Sequence, residues 1–211
     1  MSGQLPDQVM LREAREGDAE GLAYVHITAW QTAYREILPA SYLDALTPAS
    51  RTERWQERLA RQSEAEFTFV AEAAAGSTPR GGLGDTERRL VGFAAGGPER
   101  DGVIGYDHEI WGIYLLQEWR GRGIGRRLVA ASAKWVMDRG GKSLLLWVLK
   151  DNWRARAFYE ALDGQLLPGE KSITIGSTSL LEVAYGWPDA ARLMDGAERG
   201  GRGSDGFEAL P

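Results

Sequence analysis

Apolar residues along the chain switch repeatedly between strand-like runs and helix-like spacing. Residues 9–12 read as a first strand. Asp18 then caps a helix that carries Leu22, Val25, Ala29 and Ala33 on one side and ends near Pro39. Short helical pieces follow at about 40–46 and 51–61, the second turning Trp55 and Leu59 inward. Residues 67–71 and 90–95 read as strands. The segment between them, EAAAGSTPRGGLGDTERR, is polar and glycine-rich and reads as an exposed hairpin loop. A long strand over 106–116 leads to a helix over 124–138, stopped by Gly140-Gly141. Next comes LLLWVL at 144–149, apolar throughout as in a strand covered on both faces. Asp151 or Asn152 caps the following helix, which carries Ala155, Phe158 and Leu162 inward. Strands at 172–175 and 180–187 end the series. Residues 1–8 read as a flexible N-terminus, and 189–211, ending DGAERGGRGSDGFEALP, as a disordered tail with too little apolar content to pack.

Composition narrows the class. With 211 residues, 43% of them hydrophobic and 26% charged, the chain has enough for one core and no sign of a second domain. No apolar run nears the ~18 residues of a membrane span, and the start shows no signal-peptide hydrophobic region. Neither a membrane partner nor export is expected, which leaves a cytoplasmic location as the default. The absence of cysteine excludes disulfides, thiolate zinc sites and an acyl-cysteine route. Two histidines are too few for a metal centre, so no metal is expected. Eight tryptophans make a broad aromatic surface, for which a homodimer interface is one use.

Positive charge is concentrated in one place. Arg120, Gly121, Arg122, Gly123, Ile124 and Gly125, followed by Arg126 and Arg127, join the 106–116 strand to the next helix in a chain of net charge −5. Glycines let backbone N–H groups approach an anion, and a helix N-terminus adds roughly half a positive charge. The Gly121-x-Gly123-x-Gly125 spacing is neither the dinucleotide G-x-G-x-x-G nor a P-loop. No Lys/Arg stripe lies outside this turn, which argues against nucleic acid and for a cationic acceptor.

Two elements in order resemble the GNAT superfamily of acetyl-coenzyme A-dependent N-acyltransferases. Arg120–Gly125 matches its Q/R-x-x-G-x-G/A pyrophosphate loop. Asn152-Trp153-Arg154-Ala155 with Phe158-Tyr159 is similar to its N-x-x-A…F-Y element. The resemblance covers roughly residues 9–187. It implies an α/β (α+β) fold: a mixed, mostly antiparallel sheet of six to seven strands, splayed between two central parallel strands of which the first is bulged, flanked by about four helices. It implies acetyl-CoA as co-substrate, its pyrophosphate on N–H groups near Arg122–Arg126 and its pantetheine arm along Tyr114, Leu115 and Leu116, with Asn152 a further contact besides capping its helix. The activity implied is acetyl transfer to a primary amine of a small molecule or peptide.

That chemistry needs a proton acceptor, because a lysine-like amine with a pKa near 10.4 arrives charged. Counted back from the glycine loop, Glu109 falls where part of the family carries its base, and Asp101 and Asp107 stay open. The corresponding base position on the next strand is Trp147. Tyr159 matches the tyrosine that gives a proton to the departing thiolate. Trp30 and Tyr34, one helical turn apart, are candidates for an aromatic acceptor wall. His26 and His108 read as hydrogen-bonded structural residues or pocket groups. Leu162-Asp163-Gly164-Gln165 departs from the family's Leu-Gly-Phe ending, and Asp163 must then take the left-handed turn. A non-catalytic acetyl-CoA-binding or protein-interaction module of the same fold is the alternative. A dinucleotide oxidoreductase is disfavoured, since no acidic residue ends the next strand at the required spacing.

Overall fold

The computed structural model describes residues 9–74 and 89–194. The N-terminal octet, most of the segment expected as a hairpin loop, and the tail from 195 lie outside the described residues. β1 (Val9–Glu13) precedes three helices, α1 (Ala19–Ala33), α2 (Ala40–Asp44) and α3 (Pro48–Arg61). The strands β2 (Phe67–Ala73), β3 (Arg89–Pro98) and β4 (His108–Leu115) follow, then α4 (Ile124–Asp138), β5 (Leu144–Leu149) and α5 (Trp153–Glu160). β6 (Gln165–Leu166), β7 (Lys171–Ile175) and β8 (Thr178–Trp187) complete one mixed sheet. Its order is β1-β2-β3-β4-β5-β8-β6, with β7 also on β8, and β4–β5 is the parallel pair. The eighth strand, β6, is two residues long, too short for periodicity to reveal.

The site is positioned by a break in this sheet. β4 and β5 pair only at His108–Leu144, Glu109–Leu145 and Ile110–Leu146. On its other side, β4 pairs Gly112 with Ala95 and Ile110 with Gly96, so Trp111 is an extra residue, a β-bulge. The bulge turns β4 away from β5 where their pairing stops, and the two strands part.

Local sequence accounts for the helices around the gap. Thr47 accepts from the Ser50 N–H and Pro48 starts α3, a donor-free residue where a donor would be unused. α1 stops at Ala33, short of the expected Pro39; the Ile37 and Leu38 N–H groups turn back on the Tyr34 carbonyl, and Pro39 instead opens α2. Asp163 holds φ +59°, the left-handed turn expected of it.

Three clusters make the core. One packs α1, α3 and α4 on β1–β3 through Leu22, Val25, Trp55, Phe93 and Leu128. A second packs α4 and α5 on β5 and β8 through Val136, Leu146, Tyr159, Tyr185 and Trp187. Ala190 and Leu193 are buried in it as well, so packing continues past residue 188, five residues into the expected tail. The third joins Tyr34, Leu38 and Leu43 to Leu149 and Ile175. It ties the end of α1 and α2 to the β7–β8 hairpin across the parted strands.

Candidate active site

A cleft of about 1550 Å³ runs through the gap between β4 and β5. One end is formed by the glycine turn and α5, the other by the end of α1, β7 and β8.

The glycine end is mainly backbone. Gly121 and Gly123 hold φ +73° and +74°, which side-chain-bearing residues rarely adopt. Gly123 is the N-cap of α4. The N–H groups from Gly121 to Arg126 meet no backbone carbonyl among the described residues, so a row of donors stands free at a helix N-terminus. Gly125 lets α5 close in, since a Cβ there would stand 3.2 Å from the Phe158 ring. Arg120 and Arg126 line the cleft. Burial and then Arg154 work against the Arg120 charge, a strain that an anion relieves. Asn152 accepts from the Ala155 N–H at 3.2 Å, capping α5, and also lines the cleft.

Not every residue expected at the cofactor end reaches it. Tyr114 and Leu115 line the cleft, but Leu116 does not. β4 has ended there, and the Leu116 N–H is taken by the Val91 carbonyl at 2.9 Å. The Arg122 guanidinium stacks on Trp119, 5.0 Å from the ring centre, and the Ile124 side chain is buried in the first core cluster. Those two have only backbone to offer.

Midway, three phenols converge. Tyr34, Tyr114 and Tyr159 all line the cleft. Burial raises each above the ordinary tyrosine value, and Tyr114 adds to the shift of the other two. Tyr159 packs edge-on against Trp187 and tilted against Phe158 and Tyr185, which fixes where its hydroxyl points. Trp30 and Tyr34 stand edge to face at 5.1 Å on one wall.

Glu109 is not among the residues lining the cleft. Its buried carboxylate receives Arg100 Nε at 3.0 Å and Nη2 at 2.6 Å. Asp107 accepts from the N–H groups of Lys142 and Ser143, anchoring the start of β5, and Asp101 pairs with Lys171 at 2.6 Å. Among the described residues three carboxylates do line the cleft: Glu36 after α1, Asp151 before α5, and, on β8, Glu182. It faces with Leu180 toward the third core cluster, opposite to Val183 and Tyr185. The signal for it was present in LLEVAYGW, where one carboxylate interrupts an apolar run on the inward phase.

His26 lies outside the cleft, and the hydrogen bond expected of it is not made by its buried Nδ1 among the described residues. Its ring stacks on Tyr114 at 4.8 Å, with Trp30, Trp55 and Phe93 around it. Burial, then Arg51 and Arg58, push its pKa down to about 3, so it is neutral at pH 7. His108 pairs with Asp107 at 2.9 Å and lies outside the cleft. Trp147 lines the cleft, its indole N–H buried without a hydrogen-bond partner among the described residues.

The chain is similar to known acyl-transferring proteins along most of its length. Residues 27–164 match the Acetyltransferase (GNAT) family. An uncharacterized N-acetyltransferase of Bacillus subtilis (strain 168), YuaI, is 34% identical over 185 residues, covering 88% of this chain and 96% of the relative. A thialysine N-epsilon-acetyltransferase of Bos taurus is 34% identical over 85 residues, 34% of this chain and 50% of that one. In fold, the chain resembles the PaiA N-acetyltransferase of Thermoplasma acidophilum, solved in complex with coenzyme A, with a TM-score of 0.57 at 20% identity over 82% of this chain and 97% of that one. With a bulged β4 parting from β5 opposite a glycine turn, and a family match across both, this chain belongs to the GNAT family of acetyltransferases.

Proposed function

We propose that this protein moves an acetyl group directly from acetyl-CoA to a primary amine of a small molecule or peptide. The observation that carries the reading is the row of N–H groups from Gly121 to Arg126 without backbone acceptors among the described residues, at a turn whose Gly121, Gly123, Gly125 and Arg126 line the cleft that Tyr159 also lines. The donor set suits a pyrophosphate: successive amides, a helix N-terminus and two arginines. When bound, acetyl-CoA supplies an acetyl group activated as a thioester. Beyond Ile110 the edge of β4 that faces β5 has no strand partner, and there its backbone from Gly112 to Tyr114 can pair with an extended, amide-bearing arm. Asn152 adds a polar contact beside it.

Tyr159 is the proton donor of this reading. Its pKa, raised by burial and by Tyr114, keeps the proton on the phenolic oxygen at neutral pH. From there it is given to the departing thiolate, a contribution of about 10²–10⁴ in rate when the geometry is right. Trp30 and Tyr34 form the aromatic side of the acceptor end. An amine acceptor accords with the thialysine relative's name. Glu109, with both oxygens on Arg100 and outside the cleft lining, is left as a support for the β3–β4 connection, not as the base.

Calorimetric titration with acetyl-CoA, with NAD in parallel, tests the reading. Micromolar binding of acetyl-CoA alone is the expected result. An absence of acetyl-CoA binding overturns it.

A further inference from the structure

Of the cleft carboxylates Glu36, Asp151 and Glu182, Glu182 is the one that stands beside an indole already covered by a cation. Around it the protein already holds an ammonium. Lys171 Nζ lies 4.2 Å over the Trp147 ring, 2.6 Å from Asp101 and 3.7 Å from Glu182 Oε2. Asp101 takes the close contact, and the Glu182 carboxylate stays beyond hydrogen-bond distance of it. Trp147 and Glu182 line the cleft, whereas Lys171 and Asp101 do not. An ammonium in the cleft therefore meets the same indole and a carboxylate whose ion pair with Lys171 is long, at 3.7 Å.

Resting on the acetyltransferase reading, we propose that Glu182 binds the ammonium of the acceptor and removes its proton, that the acceptor is a primary ammonium on an apolar stem, and that Lys171 is its resident competitor. The stem follows from the walls. Leu149 stands opposite Glu182 across the β5–β8 pair, and Tyr34, Leu149, Ile173 and Ile175 of the third core cluster line the same cleft with Trp147. A second charge close to the amine would be stranded against them without a partner. In the step itself, one proton passes from the ammonium nitrogen to a Glu182 oxygen. The nitrogen keeps the electron pair of that N–H bond as its lone pair, and the carboxyl later returns the proton to water. Other groups that act on Glu182 are Lys171 from β7, Asp101 from the β3–β4 connection, Glu109 and Tyr114 from β4, and Tyr34 after α1. Burial raises its carboxyl above the ordinary value, Lys171 lowers it in part, and Asp101 and Glu109 raise it again. A more basic carboxylate is a better proton acceptor near neutral pH.

The test is a calorimetric titration of 2-phenylethylammonium into the coenzyme A-saturated protein at pH 7, with 2-phenylethanol as the uncharged control. Wild type is expected to bind the ammonium and not the alcohol. Glu182→Gln should weaken binding by about 10- to 100-fold, the range of a charge-assisted hydrogen bond. Glu182→Asp should retain most of it. Lys171→Met should tighten it about two- to fivefold, as loss of a partly exposed competing cation does. These opposite signs separate recognition from structural support, since loss of a purely structural pair would weaken both. Coenzyme A affinity, measured first for each variant, reports folding. Should Glu182→Gln fail that check, Glu182→Asp set against Lys171→Met carries the comparison. The proposal is overturned if wild type binds coenzyme A but not the ammonium, if Glu182→Gln binds it undiminished, or if Lys171→Met weakens it. Loss of coenzyme A binding by wild type would instead remove the acetyltransferase reading.

Discussion

Between Gly121 and Arg126 the cleft is built of backbone, with consecutive residues supplying left-handed glycines, free N–H groups and a helix start. At its other end it is built of side chains, with Tyr34 from the end of α1, Trp111 from β4, Trp147 and Leu149 from β5, Ile173 from β7 and Glu182 from β8. The difference follows what each end has to recognise. A phosphate is met by amides that every residue carries, so the demand on sequence is for glycine and for a helix to begin. An acceptor is met by shape and charge, which several elements must bring together. One end can therefore stay constant across a family while the other changes.

The comparison can be broken most sharply at Gly123. Gly123→Val should lower acetyl-CoA affinity by about a hundredfold or more. Left-handed backbone costs a residue with a Cβ about 1–2 kcal/mol, and the branched side chain also stands beside the free amides. Calorimetry on the folded variant checks it, and an unchanged affinity would mean that the turn does not hold the cofactor. The acceptor end is broken from behind by Leu43→Ala, which opens a cavity in the third core cluster. A loss of about 2–4 kcal/mol is expected in denaturant unfolding, with acetyl-CoA affinity at 25 °C retained. Equal damage to both ends would show that they are not separable.

Smaller effects sharpen the division. Tyr159→Phe should slow transfer roughly tenfold or more while leaving acetyl-CoA affinity nearly intact. A full rate in single-turnover measurements would remove the donor role. Asn152→Ala takes away the α5 cap, worth about 1 kcal/mol, and should lower the melting temperature by about 2–4 °C. Glu182→Gln should not lower stability at neutral pH. Its carboxyl is raised in the folded protein, so the charged form costs stability as pH rises through that value, and the amide removes the cost. Thermal melts across pH 4 to 8 would show it, and a destabilised variant at pH 7 would contradict it.

Much of the frame was legible in the chain. An unbroken apolar run marked β5, a capping residue marked α5, and the glycine turn marked the start of α4, because each is settled among near neighbours. The Trp111 bulge was not readable, since it depends on how β3 and β4 align, and only the family resemblance implied it. Glu109 counts to a plausible distance from the loop, but spacing along a strand does not say which carboxylate Arg100 will occupy. Leu116 looked like a continuation of the β4 edge, but the chain turns off at Leu115, where Val91 claims the next N–H.

By itself, then, the sequence determined the glycine-turn end of the cleft and the family: six consecutive residues of the Arg120–Gly125 turn and one helix motif carry both, through backbone geometry that local residue choice dictates. Tertiary structure alone decided the acceptor end. Lys171 and Asp101 lie 70 residues apart, and Glu182 meets the cleft only because β8 pairs with β5 and β7 in one register. Shifting that register by one residue would turn Glu182 to the opposite face of the sheet.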